Sequence, residues 1–308
     1  MRIAIVGAGG VGGYLGVLLA NGRDEVVLID QGDHVRALAA EGVSIRSRAR
    51  GDLHAKLPAT DDAATVGPVD LVLFCVKTYH NAVAIPALRP LVGPQTSILT
   101  LQNGVGNVEQ LAAAYGARAV LGAALTGGGT RVAPGQIEHV LPVEAETIEL
   151  GAVDAASAEQ AAAARAVLAP TGLTVSVTAD IQRTLWIKVL AMGSLASVGC
   201  LTRLGTAEWR DHPATRGLYA ELVLEAVAVG RAEGLDIDEA TVQWGLTQPD
   251  RLGPAHRTSM AADLERGVRM EADAVQGEVV RRAALHGLGV PAFETAYAVL
   301  QCLDSRAQ

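Results

Sequence analysis

Residues 2–13 read RIAIVGAGGVGG, and this stretch decides the fold predicted for the first half of the chain. The β-branched run Arg2–Val6 predicts a strand, and the glycine-rich turn after it leads into a predicted helix, Tyr14–Asn21. Glu25–Ile29 predicts a second strand, which ends at Asp30. A strand, a G-x-G-x-x-G turn, a helix, a strand and an acid within one βαβ unit are typical of a dinucleotide-binding fold.

The glycine-rich turn supplies the predicted phosphate contacts. Gly7 permits the tight turn, Gly9 lets the backbone approach a pyrophosphate, and Gly12 lets the helix pack against the strand. The N–H groups of the first helical turn then face the phosphates, aided by the helix dipole. The alternative is a glycine-rich turn without a ligand. The cofactor-binding residues predicted in the turn are Gly7, Ala8, Gly9, Gly10, Val11 and Gly12.

Asp30 stands where an acidic side chain accepts hydrogen bonds from the adenine ribose. A carboxylate at this place repels a 2′-phosphate, so Asp30 favours NAD over NADP. The alternative is a solvated loop acid. Gln31, His34 and Arg36 lie close by in the sequence. NADP therefore stays open, because Arg36 can meet a phosphate.

The alternation of strands and helices continues through residues 1–178, which predicts a doubly wound α/β sheet of the Rossmann type. Lys77 and Asn103 each follow an apolar strand, so both are expected at the carboxyl edge of the sheet, where ligands bind. A solvated lysine and a turn asparagine are the alternatives. The further predicted strands are Asp70–Val76, Ser97–Leu101, Ala119–Ala124, Gly172–Val177, and Gln136–His139 with Glu146–Leu150 as a hairpin or two edge strands.

The strand pattern stops at Asp180, and residues 179–308 are predicted to form an all-helical domain that carries substrate and catalytic groups. Residues 1–178 form the dinucleotide-binding domain in this prediction. A single long helix is predicted over residues 256–285, with Ser259, Asp263 and Glu271 on one broad face. Shorter helices are predicted over residues 218–233 and 293–303.

Thr184–Met192 reads TLWIKVLAM, a predicted helix that is apolar on nearly every side and carries Lys188 in its middle. An ammonium group is almost never fully buried without a partner. Burial lowers the pKa of a lysine, which suits the group to proton transfer. The alternative is a lysine that lays its stem along the surface and reaches water. Spacing by four predicts that Lys188, Met192 and Ala196 share one face.

Glu271 is the predicted carboxylate partner of Lys188. Arg266 and Arg269 lie near it in the sequence. A blander interpretation is therefore a surface acid on a solvated helix face.

The composition narrows the class of protein. The formal net charge of −8 argues against a general nucleic-acid binder, which needs a basic face. Cys75, Cys200 and Cys302 lie far apart and show no paired metal spacing, so free thiols in a reducing compartment and no metal site are expected. The first residues lack a signal-peptide pattern, and no apolar run of about 20 residues is expected to span a membrane. The prediction is a soluble cytoplasmic protein.

Six pieces of the sequence, in order and along nearly the whole chain, resemble ketopantoate reductases (2-dehydropantoate 2-reductases). G-x-G-x-x-G is shared with many dehydrogenases, whereas the lysine and S-M-…-D-…-E pieces are specific to this family. The pieces are GAGGVGG at 7–13, VKT at 76–78, LQNGVG at 101–106, LWIKVLAM at 185–192, RTSMAADLERGVRMEADAVQGEVV at 257–280 and HGLGVP at 286–291.

The resemblance implies hydride transfer between NAD(P)H and a 2-oxo acid, which gives a D-2-hydroxy acid. It implies that Lys188 is the general acid that protonates the developing alkoxide and that Glu271 orients the reacting oxygen. It places Asn103 beside the nicotinamide and the reacting centre, and Lys77 on the cofactor side. Ser259 matches a serine that helps to hold the substrate carboxylate. Since hydride transfer makes an alkoxide, a cation that carries a proton stabilises it.

The sequence departs from the family pattern at three places, two in the substrate pocket and one at the end of the second strand. Met192 and Ala196 stand where ketopantoate reductases carry asparagines that bind polar groups of the substrate, so a more apolar pocket is expected. Asp30 and Gln31 stand where an arginine that favours NADP is common. Both sets of changes lean toward the NAD-dependent D-2-hydroxyacid dehydrogenases of the family, which act on branched or aromatic substrates.

Three functions follow as hypotheses. The first is a ketopantoate-reductase-like enzyme, a homodimer, that uses NAD or NADP. The second is a family member that uses NAD and acts on a bulkier, less polar ketone or 2-hydroxy acid. The third is a nucleotide-sensing Rossmann protein without chemistry, against which Lys188, Glu271 and Asn103 speak.

Overall fold

The computed structural model describes residues 1–305 and divides them into two compact units. The first unit comprises Met1–Gln102 and Asn107–Ile181. The second comprises Asn103–Gly106 and the chain from Gln182 onward. Strands lie in the first unit and helices make up the second, which confirms the predicted α/β class with a helical C-terminal part.

The first unit contains two sheets and the helices that accompany them. Its helices are α1 (Gly10–Leu19), α2 (Gly32–Glu41), α3 (Asn81–Ala87), α4 (Asn107–Tyr115) and α5 (Ala158–Leu168). Its strands are β1 (Arg2–Val6), β2 (Glu25–Ile29), β3 (Val43–Ser47), β4 (Leu53–Ala55), β5 (Ala59–Thr60), β6 (Leu71–Phe74), β7 (Ser97–Thr100), β8 (Val120–Thr126), β9 (Thr130–Ala133), β10 (Gln136–His139), β11 (Thr147–Ala152) and β12 (Thr174–Val177).

The larger sheet has eight strands in the order β12-β11-β8-β7-β6-β1-β2-β5. Its neighbouring strands run parallel except β8 and β11, which are antiparallel. The first helix, α1, begins at Gly10 instead of the predicted Tyr14, so the glycine-rich turn passes directly into its first turn. Because β1 pairs in parallel with both β2 and β6, the carboxyl ends of these three strands lie side by side.

The smaller sheet, in the order β4-β3-β10-β9, corrects a prediction. Gln136–His139 pairs with β3 and β9, whereas β11 pairs with β8 and β12. The two runs are therefore neither a hairpin nor edge strands, because they lie inside different sheets. The sequence pattern did not show this, since β10 pairs in parallel with a strand far away in the chain.

The core of the larger sheet is aliphatic, as the 3% aromatic content requires. Side chains from four neighbouring strands have no exposed surface, and each contributes about 1.5–3 kcal/mol when fully buried. These side chains are Ile3, Ile5, Leu28, Leu73 and Leu99.

The described residues of the second unit form helices joined by turns and loops, without strands. Two π-helical turns, Val189–Gly193 and Asp273–Gly277, interrupt the α-helical pattern. Its α-helices are α6 (Ile181–Lys188), α7 (Ser194–Thr202), α8 (Thr206–Arg210), α9 (Pro213–Ala232), α10 (Glu239–Leu246), α11 (Gln248–Arg251), α12 (Ser259–Glu265), α13 (Glu278–Leu285) and α14 (Pro291–Asp304).

The prediction of a single helix over residues 256–285 is wrong, because α12 ends at Glu265. Gly267 has a φ of +67°, and its N–H bonds to the carbonyl of Leu264 while the N–H of Val268 bonds to that of Asp263. These two bonds form a Schellman motif, which closes a helix with a left-handed glycine. Ser259 and Glu271 therefore do not share a helix face.

The segment Ile181–Thr202 corrects the expectation about apolar runs. It is 22 residues long with a mean hydropathy of 1.6, so its length and composition alone would allow it to cross a membrane. However, 78% of its most apolar window is buried inside the protein. Burial on this scale is that of a core helix.

Candidate active site

Lys188 is the last residue of α6, and the π-helical turn Val189–Gly193 follows it directly. A π-helical turn bonds residue i to i+5, so it winds more loosely than an α-helix. The spacing of four that was predicted to place Lys188 and Met192 on one face therefore does not apply across this turn. Met192 is partly exposed, while Ala196 on α7 is buried.

Asn103 bridges Lys188 and Glu271. Lys188 Nζ donates to Asn103 Oδ1 at 2.9 Å, and Asn103 Nδ2 donates to Glu271 Oε2 at 3.4 Å. The amide presents its oxygen to the cation and its nitrogen to the carboxylate, so both partners select the same orientation. The structure thus brings together the three predicted catalytic residues, which are distant in the sequence.

The environment of the Lys188 amine disfavours its charged form. Burial lowers the pKa of Lys188 to about 8, although the charge of Glu271 acts in the opposite direction. Lys188 keeps part of its surface exposed, while its amine donates to Asn103 within the protein. A lysine with this pKa can exist in both protonation states near neutral pH, as proton transfer requires.

Glu271 is buried, with 8% of its surface exposed, so the interpretation as a solvated surface acid is wrong. The two neighbouring arginines have other carboxylate partners. Arg266 pairs with Asp263, and Arg269 Nε lies 3.5 Å from Asp304 Oδ2. Glu271 Oε2 accepts a hydrogen bond from Asn103 Nδ2.

Ser259, the predicted contact for the substrate carboxylate, is the first residue of α12 and is exposed. The hydrogen bonds that join Lys188, Asn103 and Glu271 do not include it. Its role therefore stays a prediction, as do the roles of Met192 and Ala196.

The glycine-rich turn lies at the end of β1 in the first unit. Gly7 has a φ of +87°, and a β-carbon on it would lie 2.6 Å from the backbone nitrogen of Val76. A β-carbon on Gly12 would lie 2.2 Å from the carbonyl oxygen of Gly7. The fold itself therefore requires glycine at both positions.

Gly9 differs from these two glycines. A β-carbon on Gly9 would meet no atom of the described chain within 4 Å, so the fold does not demand glycine there. Gly9 is the N-cap of α1, and no side chain caps that helix. The open space before an uncapped helix N-terminus fits a pyrophosphate.

Asp30 and Lys77 follow the strands on either side of β1, at the same edge of the sheet. Asp30 Oδ1 accepts a hydrogen bond from the backbone nitrogen of Gln31 at 2.8 Å, and the residue keeps part of its surface exposed. Lys77 begins a short 3₁₀ turn, where its carbonyl accepts from His80 at 2.9 Å. The exposed Arg36 pairs with Asp33.

His34, which is close to Asp30 in the sequence, is buried behind the glycine-rich turn. The backbone nitrogen of Gly135 donates to its Nδ1 at 3.0 Å, so the proton lies on Nε2, which donates to the carbonyl of Ala8 at 2.9 Å. His34 therefore braces the turn. No local pattern signalled this role, because Gly135 lies far away in the sequence.

Comparisons with known proteins show the family of this chain. A sequence model described as ketopantoate reductase PanE/ApbA matches residues 3–155, and one described as ketopantoate reductase PanE/ApbA C terminal matches residues 180–304. The 2-dehydropantoate 2-reductase of Halobacterium salinarum is 31% identical over 298 residues, which cover 96% of each chain.

Solved structures share the fold over the full length. The 2-dehydropantoate 2-reductase of Geobacter metallireducens has a TM-score of 0.90 at 30% identity and covers 98% of this chain and 99% of its own. A D-mandelate dehydrogenase with NADH and anilino(oxo)acetate has a TM-score of 0.90 at 21% identity and covers 99% of each chain, a likeness of fold. The two sequence models and the 31% identity show that this chain belongs to the ketopantoate reductase PanE/ApbA family.

Proposed function

We propose that this chain is an NAD(P)-dependent oxidoreductase that reduces the ketone of a 2-oxo acid to a D-2-hydroxy acid, with ketopantoate as the default substrate. The observation that carries the proposal is the desolvated amine of Lys188, held by Asn103 next to the buried carboxylate of Glu271. Membership of the ketopantoate reductase family supports the same reaction.

Lys188 acts as the general acid. When bound, the reduced nicotinamide supplies the hydride that the ketone carbon receives. The ketone oxygen then takes the electron pair of the C–O π bond, and the ammonium of Lys188 stabilises this developing charge. Nζ donates its proton to the oxygen, which leaves a neutral amine and a hydroxy acid.

Asn103 and Glu271 prepare Lys188 for this step. Asn103 Oδ1 accepts from Nζ, which limits the directions in which the amine can point. The charge of Glu271 raises the pKa of Lys188 against the effect of burial, so more of the amine is in the acid form at neutral pH. Glu271 therefore helps to orient the site and keeps more of Lys188 protonated.

Residues 1–178 would bind the cofactor, and residues 179–308 would carry the substrate and catalytic groups. Gly7, Ala8, Gly9, Gly10, Val11 and Gly12 would face the pyrophosphate, with Lys77 on the same edge. We propose NAD as the preferred cofactor. The carboxylate of Asp30 supports this preference. The ion pair of Arg36 with Asp33 also supports it, because the guanidinium nearest in sequence already has a carboxylate partner.

A second candidate function is the reduction of a bulkier, less polar 2-oxo acid with NADH. Met192 and Ala196 favour it, since neither side chain can donate a hydrogen bond to a hydroxyl of the substrate. A pocket without such donors discriminates poorly for a hydroxyl-bearing acid such as ketopantoate. Ser259 would hold the carboxylate in either case.

Steady-state turnover of ketopantoate and of branched and aryl 2-oxo acids, with NADH and NADPH side by side, tests the proposal. Faster turnover of ketopantoate supports the first function, and faster turnover of an aryl acid supports the second. If neither NADH nor NADPH is oxidised with any acid of the panel, both candidate functions are excluded and a nucleotide-sensing protein is favoured. The homodimer and the cytoplasmic location stay predictions, and sedimentation of the purified protein tests the former.

A further inference from the structure

Two segments that carry proposed catalytic residues run into π-helical turns. Lys188 directly precedes the turn Val189–Gly193, and Glu271 lies two positions before the turn Asp273–Gly277. π-Helical turns are rare in proteins as a whole. Those that do occur often lie at functional sites. Two such turns beside two proposed catalytic residues indicate that their joint geometry matters.

Gln276 connects the two turns. Its side chain has no exposed surface, and Nε2 donates to the carbonyl of Gly193 at 3.1 Å and to Ser197 Oγ at 3.1 Å. Ser197 Oγ donates in turn to the same carbonyl of Gly193 at 2.9 Å. The amide of one turn is thus bonded to the backbone at the end of the other.

Close packing surrounds this tie. A β-carbon on Gly193 would lie 3.1 Å from Cγ1 of Val275, so the two turns already approach as closely as glycine allows. On its other side, the second turn rests against α14, where a β-carbon on Gly277 would lie 2.7 Å from the ring of Tyr297. A displacement at Gln276 therefore has little free space in which to be absorbed.

The amide at position 276 has a cost in stability. Gln276 Oε1 is buried and accepts no hydrogen bond from residues 1–305. A buried acceptor without a donor is unfavourable, and an apolar side chain of the same length would avoid it. Turning the amide over would place Oε1 against the carbonyl oxygen of Gly193. The amide is therefore better explained by the geometry that it imposes than by stability.

We propose that Gln276 is a positioning residue for the reduction, which ties the segment that carries Glu271 to the segment that carries Lys188. This inference rests on the proposed roles of those two residues. Without the tie, the carboxylate and the amine move apart, and Asn103 can no longer bridge them at the observed distances. A misplacement of about 1 Å in an active site can lower a rate by about 100-fold.

The test uses the full-length enzyme with Gln276→Met, which keeps the length and volume of the side chain and removes its donors. We expect kcat to fall by about 10- to 100-fold, since only alignment is lost. The upper pH limit of kcat should also move to lower pH, because a more distant Glu271 raises the pKa of Lys188 less. Binding of NADH, followed by its fluorescence, should stay within twofold of wild type.

Tyr219→Phe is the matched control, because it also removes a buried hydrogen bond of this unit, from Tyr219 Oη to the carbonyl of Gly245 at 2.7 Å. It should lower the melting temperature and leave kcat and its pH profile unchanged. Wild-type kcat and pH profile in Gln276→Met would overturn the inference. So would an equal loss of kcat in the two variants at equal loss of melting temperature.

A Gln276→Met protein that does not fold would be replaced by Gln276→Asn, which keeps an amide that is one methylene too short to reach Gly193. Gln276→Asn is expected to fold with a reduced kcat, and wild-type kinetics would overturn the inference. A wild-type enzyme without turnover, or an active Lys188→Ala, would instead contradict the proposed function. The two failures are therefore distinguishable.

Discussion

The amine of Lys188 bonds to the side-chain oxygen of Asn103 at 2.9 Å, across 85 positions of sequence. Asn103 follows a strand of the first unit, yet Asn103–Gly106 groups with the helical second unit. The bond therefore lies within the second unit, between two segments that are distant in the sequence. Its consequences can be measured.

Replacing Lys188 with alanine should lower kcat for reduction by about 10²- to 10⁴-fold, the usual contribution of a general acid. Binding of NADH should persist, because the glycine-rich turn belongs to the first unit. Stopped-flow turnover and cofactor fluorescence measure the two quantities. Lys56→Ala is the control, since Lys56 is exposed and its Nζ donates to the carbonyl of Ala40. Normal turnover in Lys188→Ala would remove the proposed acid.

The pH dependence should have opposite signs in the two directions. Reduction needs the protonated amine, and the pKa of Lys188 is lowered to about 8, so kcat for reduction should be high below this pH and fall above it. Oxidation of the hydroxy acid needs the neutral amine, so its kcat should rise through the same range. Profiles of kcat in both directions check this, and parallel slopes would contradict it.

Glu271→Gln should move the upper limit of the reduction profile to lower pH. The charge of Glu271 raises the pKa of Lys188, and the neutral amide removes that effect while it keeps the shape of the side chain. At neutral pH less of the amine then carries a proton, so kcat should fall, and part of it should return on acidification. An unchanged pH limit would show that Glu271 does not act on Lys188 through its charge.

Asp30→Asn should change the choice of cofactor. The carboxylate repels a 2′-phosphate, so its removal should raise kcat/KM with NADPH relative to NADH by about 10-fold or more, as loss of a like-charge contact predicts. The ratio of kcat/KM values measures the effect. Glu41→Gln, which changes an exposed acid at the end of α2, provides the comparison. An unchanged ratio in Asp30→Asn would mean that this acid does not contact the ribose.

Glu146 should be important for stability, although it lies outside the proposed site. It has no exposed surface, accepts from Tyr14 Oη at 2.7 Å and from Arg50 at 3.0 Å, and lies 3.2 Å from Nε2 of His139. Glu146→Gln removes the charge that compensates Arg50, so we expect a loss of about 3–5 kcal/mol in the free energy of unfolding. Urea unfolding measures this value.

The control for Glu146 is the exposed pair of Arg46 and Glu138, which are 3.1 Å apart. Glu138→Gln should cost at most about 1 kcal/mol, because water screens an exposed ion pair. Equal losses in the two variants would show that burial does not determine the cost.

Local patterns accounted for much of the first unit. The run of β-branched residues before Gly7 and the acid at Asp30 define a strand, a turn and a second strand within a short length of chain. Lys188 was identifiable because a charge within an apolar helix is unusual. Each of these inferences depends on neighbours in the sequence, through periodicity and backbone preference.

One local turn and one long-range strand pairing account for the errors in the predicted elements. The helix predicted over residues 256–285 breaks at Gly267, whose left-handed conformation a helical pattern does not show. Gln136–His139 was assigned as an edge or hairpin strand, since nothing local reveals that it pairs with β3. Gln276 sits beside Gly277 in an apolar segment, a weak signal of a buried amide.

The sequence by itself therefore determined the βαβ nucleotide-binding unit and the helical second half, and it singled out the residues proposed to move a proton. Only the tertiary structure decided that Asn103 joins Lys188 to Glu271, that His34 braces Ala8, and that π-helical turns adjoin the site. The physical reason is range. Backbone preferences and hydrophobic periodicity act over a few residues, whereas desolvation and hydrogen-bond partners depend on which distant segments the folded chain brings together.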